Sequence, residues 1–339
     1  MEWVENADLR LFNTFGVSAR AKHLLRVHDQ AEAEYFFKQF PEEPYLILGG
    51  GSNVLFCADW HGKVLLNAIQ GKSIEWENQN ELCLNVHSGE NWHALVMHCV
   101  EMGWGGIENL ALIPGKVGAA PMQNIGAYGV EIGDVLEFVD VLEITTGKCY
   151  RLNCADCMLG YRDSFFKQQG KNRFLILSVG FRLQKNPRIH TEYGAIRDSL
   201  EKAGIPIQKA GIADVAAAVI SIRQSKLPDP LQIGNAGSFF KNPVVSDEQA
   251  EKLKQNFSGI VHFPQPDGRV KLAAGWLIEQ AGFKGIRRGD AGVHAHQALV
   301  LVNYGNASGL NVLDLAHEVQ EGVLNRFGVS LEAEVNCIG

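Results

Sequence analysis

Between Ala111 and Gly129 the chain runs for nineteen residues with four glycines, four alanines, two prolines and one charge, Lys116. Small residues at that density let backbone approach a flat, extended ligand closely, and prolines stiffen the path. A tightly packed internal loop would use the same residues. Even so, a structureless segment of that length inside a domain is itself a sign of function, and a large planar dinucleotide suits it. A second glycine cluster, Gly49-Gly50-Gly51-Ser52-Asn53, closes the apolar run Tyr45-Leu46-Ile47-Leu48 and precedes Val54-Leu55-Phe56. It would present consecutive backbone N–H groups as a concave anion nest, and it would serve equally as a turn between two strands. Neither it nor the Gly103 to Gly106 run completes G-x-G-x-x-G. Gly71-Lys72-Ser73 lacks the glycine five residues earlier, where Leu66 stands, so Rossmann and P-loop readings both fail.

The 339 residues carry 31 Lys and Arg against 38 Asp and Glu, a formal charge of −7, with 46% apolar residues and a mean hydropathy of −0.06. This is the balance of a soluble globular protein, and at roughly 150 residues per domain it predicts two or three domains. The acidic balance argues against nucleic acid as a partner, which wants clustered positive charge. The acidic start, Met1 to Asp8, lacks the apolar segment of a secretory signal, and no stretch approaches the roughly 20 apolar residues of a membrane span. The expected compartment is the cytoplasm, with no membrane partner. Cys149, Cys154 and Cys157, with Cys337 far downstream, match the spacing of a plant-type ferredoxin ligand set. However, Cys149 sits in an alternating strand pattern after the turn at Thr145 to Lys148, and no second pair or nearby His completes a zinc site. Reduced structural thiols and no metal are expected.

Pattern changes along the chain predict an α+β fold. An amphipathic helix over Asp29 to Phe40 and the strand Tyr45 to Leu48 make a small α/β part, 1–67. Strands then dominate (Leu82 to His87, Val135 to Ile144, Phe174 to Leu183) around a helix from Asn91 to Met102. That helix has Trp92, Leu95, Val96, Cys99 and Met102 on one face and a Gly103 cap. Helices return at Tyr193 to Ala203 and Asp214 to Lys226, closing a larger α+β part, 68–223. The remainder, 224–336, opens with Leu227-Pro228-Asp229-Pro230 and a helix started by the Ser246-Asp247-Glu248-Gln249 capping box. It continues through a strand at Ala298 to Asn303, a helix from Gly309 to Phe327 and a strand from Val329 to Asn336. Residues 337–339 are expected to rejoin the first part.

Six motifs in order carry a resemblance over Leu11 to Gly339: Asn13-Thr14-Phe15-Gly16, Leu48 to Asn53, Ile113-Pro114-Gly115, Gln123 to Gly129, Gly160-Tyr161-Arg162-Asp163-Ser164 and Asn235 to Pro243. The chain resembles the UDP-N-acetylenolpyruvoylglucosamine reductases, in the subclass with a tyrosine-bearing loop, marked here by Tyr193-Gly194. The resemblance implies three domains: an FAD-binding fold of the vanillyl-alcohol oxidase type in the first two and an α+β substrate-binding domain in the third. It implies a cytoplasmic, monomeric flavoenzyme of peptidoglycan precursor synthesis, with non-covalent FAD and NADPH as co-substrate. Substrate and NADPH would use one pocket in turn. FAD would be held by Gly49, Gly50, Gly51, Ser52, Asn53, Ile113, Pro114, Gly115, Gly118, Ala119, Gln123, Asn124, Gly126 and Ala127. The nucleotide diphosphate and sugar of UDP-N-acetylglucosamine enolpyruvate would be held by Tyr193, Lys226, Asn242 and Gln297, with Lys226 the charge for the diphosphate.

Reduction of an enolpyruvyl ether delivers hydride to the terminal alkene carbon and drives electrons toward the carbon beside the carboxylate. A cation must offset that charge and an acid must then supply a proton. The resemblance gives the first role to Arg162, whose guanidinium can fork onto a carboxylate. Stabilisation of the enol form falls to Glu334 and protonation of the carbanion-like carbon to Ser238, the three converging on one alkene. Read alone, Arg162 is a loop arginine pairing with Asp163, Ser238 a turn residue, and Glu334 surface charge on a strand whose Leu331, Ala333 and Val335 point inward. Tyr193 would be a helix-start residue, Lys226 a helix-end cation, and Asn242 and Gln297 capping amides.

The sequence departs from the family pattern in places. Phe263 stands where a tyrosine is expected, which removes a hydroxyl contact to the diphosphate. Ala333 and Asn336 stand where proline and arginine are usual, which puts an FAD contact in doubt, and the chain stops at Gly339 without the short tail of some members. A flavin oxidase of the same fold would commonly attach flavin through a His or Cys near the pyrophosphate loop, where this chain offers Ser52 and Asn53. The alternative outside enzymes is a nucleotide-binding module without turnover.

Overall fold

Local capping sets most helix boundaries. Asp29 accepts the Glu32 N–H to open α1 (Gln30–Lys38), and Asn91 does the same from Ala94 for α2 (Trp92–Glu101). The longest helix, α7 (Gly309–Phe327), starts in a reciprocal Ser308/Asn311 capping box and ends at Gly328. That glycine lies at φ 64°, in the left-handed region where a Cβ is penalised. The computed structural model describes residues 3–339; Met1 and Glu2, part of the acidic start, lie outside the described residues.

The other elements of the first two thirds are β1 (Val4–Asp8), β2 (Arg20–Val27), β3 (Tyr45–Leu48), β4 (Val54–Phe56), β5 (Trp60–Asn67), β6 (Lys72–Glu77) and β7 (Glu81–His87). Then come β8 (Gly126–Ala127), β9 (Val130–Glu131), β10 (Leu136–Glu143), β11 (Cys149–Asn153), β12 (Phe174–Gln184), α3 (Gly194–Lys202) and α4 (Ile212–Lys226). The last third holds β13 (Gly234–Ser238), β14 (Val244–Val245), α5 (Asp247–Asn256), β15 (His262–Pro264), β16 (Val270–Leu272) and α6 (Ala274–Gln280). It closes with β17 (Arg287–Arg288), β18 (Ala291–Val293), β19 (Val300–Asn303) and β20 (Asn336–Ile338).

The chain divides into two units. Among the described residues the first comprises 3–7, 22–50 and 61–225, the second 8–21, 51–60 and 226–339. In the first, a sheet of order β1-β2-β5-β3 carries the parallel β3/β5 pair, and a five-stranded sheet of order β11-β10-β12-β7-β6 is antiparallel throughout. The buried stripe of α2, Trp92, Leu95, Val96 and Cys99, joins Leu82, Leu84, Val86 and Phe181 in one apolar core. The Trp92 indole N–H is satisfied by the Leu110 carbonyl at 2.9 Å, as a buried indole requires. Met102, expected on that face, is exposed, because it lies past the last turn as the helix cap.

In the second unit the sheet β13-β19-β18-β17 is antiparallel. Its Val300, Leu301 and Val302 are buried, as are Val312, Leu315, Ala316, Val319 and Val323 at the 3.6-residue spacing of α7. Two expectations are corrected here. Residues 111–129 are not structureless: they hold short 3-10 turns at Val117–Ala119 and Pro121–Gln123 and the β8 strand. The closing strand lies at 336–338 rather than 329–336. Residues 332–334 pair backbone to backbone with 239–241 through an isolated bridge, and continuous pairing begins at Asn336 beside β4.

Candidate active site

In the first unit the two glycine loops meet backbone to backbone. A Cβ on Gly50 would stand 3.0 Å from the Gly115 Cα, one on Gly49 3.4 Å from the Lys116 Cβ, and one on Gly118 2.6 Å from the Ser88 Cβ. A side chain at any of these positions would fill the approach. The unfilled backbone cradle suits a dinucleotide held mainly by main-chain groups, so the residues present fit FAD. Gly51 opens the second-unit part of the loop with φ +61°, and a Cβ there would sit 1.9 Å from the Phe12 carbonyl oxygen. Its own carbonyl accepts the Thr14 N–H at 3.0 Å, which ties the Asn13-Thr14-Phe15-Gly16 motif to the loop.

The backbone of Leu112, just before Ile113-Pro114-Gly115, is clamped from both sides. Its N–H donates to His93 Nδ1 at 3.0 Å and its carbonyl accepts from Arg223 Nε at 3.2 Å, which holds a non-glycine residue at φ 59°. The Arg223 guanidinium is largely buried, with the Tyr128 hydroxyl as its second partner, and burial lowers its pKa. Burial and this cation lower the pKa of His93, which keeps the Nδ1 lone pair free to accept. Sequence reasoning missed both residues. The signal was the placement of Arg223 four residues after Val219 and seven after Ala216, both buried, on an otherwise apolar helical face.

Arg162 occupies a turn with φ 54°, closed by two bonds between Gly160 and Asp163: N–H to carbonyl at 3.0 Å and the reciprocal at 3.2 Å. It is half-buried and its Nη2 donates to the Gly126 carbonyl at 2.8 Å, so it belongs to the small-residue loop rather than pairing with Asp163. Asp163 instead accepts from Gln168 Nε2. Asn124, 3% exposed and at φ 45°, organises this corner. Its amide nitrogen donates to Glu131 Oε2 at 2.8 Å and to the Gly160 carbonyl at 3.2 Å, and its oxygen accepts the Gly133 N–H at 3.0 Å. The Asn124 side chain therefore serves the arginine turn. The Tyr193 ring, 49% exposed, meets Tyr128 edge-on at 5.2 Å.

In the second unit Ser238 ends β13, and the next residue's carbonyl, that of Phe239, accepts the Glu334 N–H at 2.8 Å. Serine and glutamate thus lie on neighbouring runs, both half-buried, and Glu334 is not the surface charge that the strand pattern alone suggests. Asn53 reaches the same run: its amide donates to the Glu334 carbonyl at 3.2 Å, while its carbonyl accepts from Asn336 N and Nδ2 at 3.1 and 3.0 Å. Asn336 thus anchors the glycine loop locally. Asn242 Oδ1 accepts the Ala274 N–H at the start of α6. Gln297 Oε1 lies 3.5 Å from where a Cβ on Gly275 would stand, so both amides gather at that helix start. Lys226, at the end of α4, is exposed.

A mixed fold with an FAD-type cradle and a polar serine–glutamate pair defines a flavoenzyme class, and comparison with known proteins makes it specific. Residues 21–153 match the FAD binding domain family and residues 229–338 match the UDP-N-acetylenolpyruvoylglucosamine reductase C-terminal domain. The chain is 50% identical over 331 residues to the UDP-N-acetylenolpyruvoylglucosamine reductase of Pseudomonas syringae pv. syringae, with 97% of each chain covered. The crystal structure of the corresponding Thermus caldophilus reductase superposes with a TM-score of 0.70 at 25% identity, covering 100% of this chain and 98% of that one. A 6-hydroxy-D-nicotine oxidase from Arthrobacter nicotinovorans shares the fold at a TM-score of 0.53 and 13% identity, covering 97% and 86%. The chain belongs to the UDP-N-acetylenolpyruvoylglucosamine reductase family, and its α+β fold includes an FAD-binding fold of the vanillyl-alcohol oxidase type. Among the described residues no helix is long and apolar enough to cross a membrane.

Proposed function

We propose that the chain is an FAD-dependent oxidoreductase that uses NADPH to reduce the enolpyruvyl ether of UDP-N-acetylglucosamine enolpyruvate to UDP-N-acetylmuramate, a step of peptidoglycan precursor synthesis. It acts as a monomer in the cytoplasm, with residues 1–67 and 68–223 serving FAD and 224–336 serving substrate. FAD, when bound, supplies the relay of hydride from NADPH to the alkene. Gly49 to Asn53 and Ile113 to Ala119 hold it chiefly through backbone, with Gln123, Gly126 and Ala127 completing the cradle.

The work of this chain's own residues is electrostatic and acid–base. Arg162 offsets the charge that develops on the substrate carboxylate, Glu334 stabilises the enol form, and the Ser238 hydroxyl donates its proton to the carbon beside the carboxylate. Serine is a weak acid, but a carbanion-like carbon is a strong base, so the transfer need not be uphill. Tyr193, Lys226, Asn242 and Gln297 grip the nucleotide diphosphate and sugar. Asn124 is a positioning residue: with its amide bonded on both sides inside the protein, it fixes the turn that presents Arg162.

The observation that carries the reading is the bond from Glu334 N–H to the Phe239 carbonyl, which brings the acid and the carboxyl from distant parts of the sequence onto adjacent runs. Purified protein is expected to be yellow, to release flavin on denaturation, and to be bleached by NADPH without air. A colourless protein that binds the UDP-sugar without turnover would favour a binding module instead.

A further inference from the structure

Cys337 enters the sequence pattern as a distant fourth to Cys149, Cys154 and Cys157, but its neighbour in the fold is Cys57. β4 and β20 run parallel, with Cys337 opposite Leu55 and Ile338 opposite Phe56. Side chains alternate along a strand, so Leu55, Cys57 and Cys337 share one face. The Cys57 N–H donates to the Ile338 carbonyl at 2.7 Å, which keeps the two strands together past the end of the ladder. On that face Cys57 stands diagonally across the β4/β20 pair from Cys337, near enough for each thiol to perturb the other's ionisation, with Cys57 half-buried and Cys337 on an exposed residue. Cys83, Cys99 and Cys157 are buried.

We propose that Cys57 and Cys337 form a redox modification site, a dithiol that a low-molecular-weight disulfide converts to an intramolecular disulfide clasping β20 to β4. One thiolate attacks the small disulfide, forming a mixed disulfide and releasing one small thiol. The second thiolate then displaces the other half, so the protein loses two electrons and two protons and the reagent takes them up as two thiols. Two sulfurs on one face of paired strands, diagonal to each other, need side-chain rotation and a strand shift, not refolding, to reach disulfide geometry.

The position gives the clasp its consequence. β20 and β4 flank the bonds that tie Asn53 to Glu334 and Asn336, so closing it fixes the register of the Glu334 run against the glycine loop. Burial raises both thiols above the ordinary range, and burial together with the nearby Cys57 thiol pushes Cys337 up to about 11. Thiolate is then scarce and closure slow, which suits a clasp answering sustained oxidative load rather than a fast sensor.

The test is incubation of the folded, flavin-loaded protein with oxidised glutathione, followed by intact mass and a non-reducing peptide map. The expected product is about 2 Da lighter than the reduced protein, as loss of two hydrogens requires. It carries a peptide linking residues 57 and 337, and its Tm is higher, a gain that dithiothreitol reverses. Cys337→Ser should abolish both the link and the reversible Tm gain, and Cys149→Ser should leave both intact. Separate glutathione adducts without a cross-link, pairing of Cys337 with any other cysteine, or an oxidised form that melts below the reduced one would overturn the proposal.

Discussion

Ser238 is asked to give up a proton that a serine rarely releases, so its removal has a selective signature. Ser238→Ala should leave NADPH bleaching of the flavin nearly unchanged and slow recolouring by the enolpyruvyl substrate by ~10²–10⁴, the range for a general acid. Equal damage to both half-reactions, read by anaerobic stopped flow, would point to a binding or folding role. Asn124→Ala should also act on the second half-reaction, by ~10²-fold if the Arg162 turn shifts by about an ångström. It leaves the Gly133 N–H without its partner and the Gly160 carbonyl with only the Asp163 N–H, at ~1–3 kcal/mol for the orphaned N–H, so Tm should fall as well. A Tm loss with normal recolouring would remove Asn124 from the positioning role. The roles proposed for Arg162, Ser238 and Glu334 rest on the order of surrounding motifs, because one arginine, one serine and one glutamate have no periodicity of their own. His93 was not legible and Arg223 showed only as a cation on an apolar helical face: their partners are the backbone N–H and carbonyl of one residue, Leu112, which no side-chain pattern announces.

The glycine loops are legible as elements because composition alone reports close backbone approach. What the sequence does not state is which glycine is irreplaceable. Gly51→Ala combines a left-handed φ with a Cβ placed 1.9 Å from the Phe12 oxygen, so it should destabilise the protein by more than ~1 kcal/mol and weaken FAD retention on dialysis. Gly129→Ala, at φ +83° with open space around it, should cost only the strain of that conformation, ~1–2 kcal/mol, and keep its flavin. The Leu112 clamp predicts a pH dependence. His93 has a lowered folded-state pKa, so between that value and the unfolded ~6.5 the unfolded chain binds more protons than the native one. Stability then rises with pH in that window and is lost as pH falls from about 6.5 toward the folded value. His294, also lowered by burial and by His296, adds in the same direction. His93→Asn, which keeps an acceptor but cannot titrate, should flatten part of the fall in Tm between pH 7.5 and 5.5; an unchanged slope would exclude His93 as its source.

At the scale of the whole chain, helices were read within a few residues because caps and apolar stripes are local signals, as with Gly309 to Phe327. The C-terminal strand was misplaced because its alternating Leu331, Ala333 and Val335 describe burial, not pairing. Leu331 and Val335 are buried in an irregular run whose backbone bonds go to residues 239–241. Membership of residues 8–21 and 51–60 in the unit with 226–339 depends on long-range bonds, such as Asn303 Nδ2 to the Phe15 carbonyl at 2.9 Å, which sequence proximity cannot foreshadow.

The reaction assignment is tested most directly by a two-step anaerobic titration of the purified protein. One equivalent of NADPH should bleach the flavin, and one equivalent of UDP-N-acetylglucosamine enolpyruvate should then restore the colour and yield UDP-N-acetylmuramate. Flavin that stays bleached with the enolpyruvyl nucleotide and recovers only in oxygen would contradict the account and leave an oxidase in its place.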